Sequence, residues 1–79
     1  MEYYEKMKYK AAGNIVKMMR EKGIEGEMPE TEEEAKQALA CILRHRENLS
    51  CKEMACALYE VMEFAAANLA LKEKHHEED

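Results

Sequence analysis

The sequence holds no tryptophan, one proline, three glycines, one phenylalanine, and one each of serine, threonine and aspartate. Each shortage excludes something. So little glycine and proline leaves no turn grammar for a hairpin-rich sheet. The β-branched residues, Ile15, Val16, Ile24, Thr31, Ile42 and Val61, are too few to build strands. Ser50 and Thr31 are the only aliphatic hydroxyls, and the lone aspartate is Asp79. No hydroxyl nucleophile backed by histidine and carboxylate can be assembled from that set, and there is no glycine-rich phosphate loop. The expectation is a protein that is not an enzyme and needs no cofactor.

What the chain has in quantity is Ala, Glu, Lys, Met and Leu, the strong helix formers. Charged residues make up 37% and apolar ones 47%, too apolar for disorder. Seventy-nine residues form one domain, and a chain this short buries only about 60% of the surface its unfolded form exposes. The fold class expected is all-α, a single helical domain over residues 1–79. It should be a three-helix bundle or open helical array, with helices at about 2–22, 32–46 and 51–73, and dimeric through the third.

Periodicity and caps set those bounds. Tyr4, Met7, Ala11, Ile15 and Met18 recur at three- and four-residue spacing. Gly13 interrupts that helix, as a bend or a point of close approach, and Gly23 supplies a left-handed C-terminal cap with Ile24 folding back. Residues 24–30 form an acidic Gly/Pro loop. Thr31 and Glu34 then read as a capping box, and Ser50 and Glu53 as a second. Residues 75–79 read as a frayed acidic tail.

Three cysteines are an odd count, and Cys51 and Cys56 point apart on one helix, so reduced thiols in a cytoplasmic protein are expected. Cys41 and His45 share a helix face at a spacing that two metal ligands use. No paired motif supports them, and the expectation is that no metal binds. Cys41 then packs as a small apolar side chain, and His45 sits where a helix C-terminus favours a cation.

Net charge is −5, unevenly spread. Residues 1–22 carry six basic and three acidic groups, whereas residues 23–34 carry six glutamates and no positive charge. Glu32, Glu33 and Glu34 suit the first turn of a helix. Glu25, Glu27 and Glu30 have no such structural reason, which makes them candidate partner-binding residues for a basic protein surface.

The richest signal is residues 51–71, which hold only four charges. At 100° per residue Lys52, Glu53, Glu60 and Glu63 fall in one narrow strip, leaving most of the circumference apolar. The segment has the length of a membrane span, but four charges disfavour insertion, and no membrane association is expected. Two flanking helices cover about half of a third. Tyr59, Phe64 and Leu71, at the edges of the apolar arc, are therefore expected at a surface that binds a partner or a second copy.

The leading expectation is an acidic regulator, adaptor or inhibitor that binds a partner protein. In size and charge alone the chain resembles small acidic phage-encoded inhibitors such as anti-CRISPR proteins, some of which plug nucleic-acid sites on enzymes. Two alternatives are a structural helical homo-oligomer and a small DNA-binding regulator using the lysines of the first helix. Nucleic acid is disfavoured because a net-acidic chain neutralises few phosphates.

Overall fold

A computed structural model describes residues 2–78, with side-chain positions through Lys74. It contains three α-helices, α1 (Tyr3–Glu21), α2 (Glu32–Arg44) and α3 (Cys51–Glu78), and no strand among the described residues. This is the all-α three-helix architecture read from the sequence.

Each boundary has a chemical cause. At the end of α1, Gly23 takes φ +71, its N–H donates to the Arg20 carbonyl, and the Ile24 N–H donates to that of Met19. Those are the two bonds of a Schellman cap, with Ile24 buried in the same cluster as Met19. The Thr31 and Glu34 capping box is formed, hydroxyl to backbone and carboxylate to backbone. Its counterpart at Ser50 and Glu53 is formed as well, at 3.1 and 3.0 Å.

Two boundaries differ from expectation. α2 stops at Arg44, because the His45 N–H is drawn to the Ile42 carbonyl and the chain tightens into a 3₁₀ turn at Arg46–Asn48. α3 runs on through Glu78, where 73 was expected as its end. No glycine or proline follows residue 51, and its last turns are rich in good helix formers. Most of the tail read as frayed is thus helical, and Asp79 lies outside the described residues.

Contacts at both ends fix the topology. Lys22, just past α1, bridges Glu53 in the first turn of α3 at 2.8 Å, while Glu2 lies 4.0 Å from Lys74. α1 and α3 are therefore antiparallel, and theirs is the most extensive interface. The start of α2, at Thr31 and Glu32, lies beside Asn68 and Lys72 of α3, so α2 is antiparallel to α3 as well. It follows that α1 and α2 are parallel.

A parallel pair needs a connection that returns along the bundle, and residues 23–31 supply it. Gly26 lies against the thioether end of Met19. Farther on, Met28 reaches Gly13, whose Cβ position is 3.7 Å from the Met28 methyl. Pro29 is buried and shares a recess with Tyr9 and Ala12. What reads in sequence as a loose loop is an extended strap laid back along α1.

The core is small. Phe64, Ile15 and Ile42 are its largest fully buried side chains, and Ala11, Ala12, Ala35, Ala38, Ala57 and Ala67 make up much of the remainder. Alanine at the helix contacts lets backbones approach closely but leaves larger side chains elsewhere. The buried stripe of α1 is Ala11, Ala12, Ile15, Val16 and Met19, so Tyr4, expected on it, is exposed.

Candidate interaction surface

Along α3 the residues buried on the bundle side are Ala57, Val61, Phe64 and Ala67. Their spacing of four, three and three traces one line down a helix. On the opposite side a second line repeats the pattern with Ala55, Leu58, Met62, Ala66 and Leu69, all of them exposed. Leu58 is 47%, Met62 68% and Leu69 57% exposed, and Tyr59 beside them 58%. Among the described residues, no helix, loop or strap covers this line.

The reason lies in the charged strip. An isolated amphipathic helix turns its charges to water. Here Glu53 is bridged to Lys22, and Glu60 and Glu63 line a groove with Lys6 and Lys10 of α1. The acidic edge of α3 therefore faces the basic side of α1, which rotates the apolar arc outward. Glu53 also accepts from the Ser50 N–H. The Lys22 ammonium, then the Ser50 N–H, holds its carboxyl below the ordinary glutamate range. In the same groove the Glu63 carboxylate beside the Tyr59 hydroxyl pushes that phenol's pKa up, because an acceptor and a negative charge both favour the protonated form.

Of the residues expected at the surface, Tyr59 is exposed and flanks the outer line. Leu71 is half-buried, in a recess with Met28, Pro29 and Glu30. The expectation for Phe64 is overturned. It is fully buried at the centre of the core, with the Lys8 ammonium 5.4 Å from its ring centroid. The cause is rotation: Phe64 lies at the middle of the arc that meets α1 and α2, not at its rim. Glu25, Glu27 and Glu30 are exposed along the strap, and none joins an ion pair among the described residues.

The structure brings Glu30 and Leu71 together but sets Tyr59 in a different groove, with Tyr3 and Lys6. Leu58, Met62 and Leu69 were missed as surface residues because they looked like core. The signal that finds them is the match between carboxylates at 60 and 63 and lysines at 6 and 10. At the end of α2, the His45 ring Nδ1 lies 3.0 Å from the Cys41 carbonyl oxygen, so that histidine caps its own helix. By length and composition Cys51–Lys74 is also apolar enough to cross a membrane, with a mean hydropathy of 1.3 over its most apolar stretch.

Comparison with protein-family models, curated proteins and solved structures gives no match to this chain.

Proposed function

We propose that this protein works by association, not by chemistry, as an acidic regulator, adaptor or inhibitor that binds a partner protein. The observation that carries the reading is the uncovered apolar line of α3 through Leu58, Met62 and Leu69. Contiguous exposed apolar surface of this kind marks an interface. A domain with so small a core gains stability from whatever covers it.

The sign of the partner comes from the strap. Glu25, Glu27 and Glu30 are held on a segment anchored at Ile24 and Pro29, both buried. Carboxylates on a fastened backbone cost less ordering on binding than carboxylates on a free loop. With a net charge of −5 they suit a lysine- or arginine-lined protein surface. The test uses the immobilised protein to isolate a binding partner, followed by titration over a range of salt. Replacing Glu25, Glu27 and Glu30 with Gln should weaken binding and flatten its salt dependence. Unchanged affinity would remove the strap from the reading.

The homo-oligomer reading is favoured by the same apolar line. Duplex DNA is disfavoured, since Lys6 and Lys10 face Glu60 and Glu63 across the groove. Random duplex at low salt should not be retained.

A further inference from the structure

We infer that the outer line of α3 is covered by α3 of a second copy, running antiparallel about a two-fold axis between Met62 and Ala65. The inference rests on the reading of this face as an interface, and it adds the occupant, the direction and the register.

Three features of the helix carry it. The first is charge. Near opposite ends of the helix, Glu73 continues the outer line and Lys52 lies at its edge, displaced to the same side of the line's centre. Both are exposed, and neither takes part in an ion pair among the described residues. They stand about 32 Å apart along the axis, and in this register Lys52 of one copy falls within roughly 3 Å of axial offset from Glu73 of the other. The two-fold makes that pair twice, once at each end.

The second is shape. The half of the line before the axis holds Leu58, Tyr59 and Met62, and the half after it holds Ala65, Ala66 and Leu69. Antiparallel pairing sets Met62 level with Ala65 of the other copy and Leu58 with Leu69, and brings Tyr59 within roughly 3 Å of axial offset from Ala66, so that large side chains meet small ones. Such pairs fill an interface at short helix separation.

The third excludes the parallel alternative. There, positions on the seam meet their own copies, placing Glu73 against Glu73, where like charges are unfavourable. The antiparallel register sets Glu73 beside Lys52 instead.

Sedimentation of the full chain from low to high micromolar concentration tests the first part. A dimer is expected, and Met62→Glu should leave a monomer with unchanged helix content and the melting temperature of the wild type diluted to its monomer, because Met62 is already exposed within the chain. Orientation is tested by charge reversal. Lys52→Glu and Glu73→Lys should each weaken the dimer about fivefold, and the double variant should restore it. A monomer at every concentration, or a dimer indifferent to Met62→Glu, overturns the inference. Failure of the double reversal, or ready Cys51–Cys51 cross-linking on mild oxidation, overturns the antiparallel register. The two readings fail separately. A monomer that still binds a partner through the strap loses only the dimer, and a dimer that binds nothing else loses only the foreign partner.

Discussion

Lys22 and Glu53 meet at 2.8 Å where the end of α1 crosses the start of α3, and each has a second task. The Lys22 ammonium also donates to the Asn48 carbonyl at 3.1 Å, and the Glu53 carboxylate caps the Ser50 N–H. One ion pair thus ties the α1 terminus, the turn after α2 and the first turn of α3 into a single corner.

That corner gives the fold a defined response to acid. The folded-state pKa of Glu53 is depressed, so its contribution is complete above the ordinary glutamate value and is lost as pH falls through the depressed one. The prediction is that Glu53→Gln flattens the fall of melting temperature below about pH 4.5. Parallel melting curves for the two proteins would show that the pair contributes nothing.

Burial separates two residues that look alike on a helical wheel. Phe64→Ala removes the largest fully buried side chain and should cost about 3–5 kcal/mol, enough to unfold most of so small a domain. Met62→Ala, measured in dilute protein where association is absent, should stay within about 0.5 kcal/mol. Urea unfolding followed by circular dichroism decides it, and equal losses would mean that α3 is rotated from the orientation described.

Two glycines should respond with opposite signs. Gly23 sits at φ +71, where a Cβ is strained, so Gly23→Ala should destabilise by about 1 kcal/mol. Gly13 lies inside α1, and an added Cβ meets only the Met28 methyl at an ordinary 3.7 Å. Gly13→Ala should therefore stabilise by about 0.5–1 kcal/mol. A loss at Gly13 would mean that the strap presses closer to α1 than described.

The Tyr59 phenol offers a probe of the α1–α3 groove. Glu63→Gln removes the charge that pushes its pKa up, so the alkaline absorbance titration should move to lower pH. The same comparison made in a Tyr59→Phe background should show no shift. A shift that survives there would assign the effect to another tyrosine.

The helices, the glycine cap and both capping boxes were legible in the sequence because each is decided by residues within five positions of one another. The rotation of α3 was not, since it depends on lysines more than forty residues away. Phe64 was misplaced for that reason: its wheel position is correct, but the reference direction is set by α1. The strap escaped for a related one. Gly26, Met28 and Pro29 carry turn-like local preferences, and only the docking of Met28 at Gly13 and of Pro29 beside Tyr9 and Ala12 straightens the segment along α1.

The return of the strap along α1 has a kinetic consequence. α2 and α3 are joined by a short turn and can pair early, whereas the α1–α3 interface joins elements roughly fifty residues apart and must wait for a large loop to close. Folding should then proceed from an α2–α3 hairpin onto which α1 docks late, fastened by the strap. Truncating Ile15 would chiefly speed unfolding, and truncating Ile42 would chiefly slow folding. Once docked, α1 holds the more extensive of the two interfaces with α3, so the step made last is also the one that locks the fold.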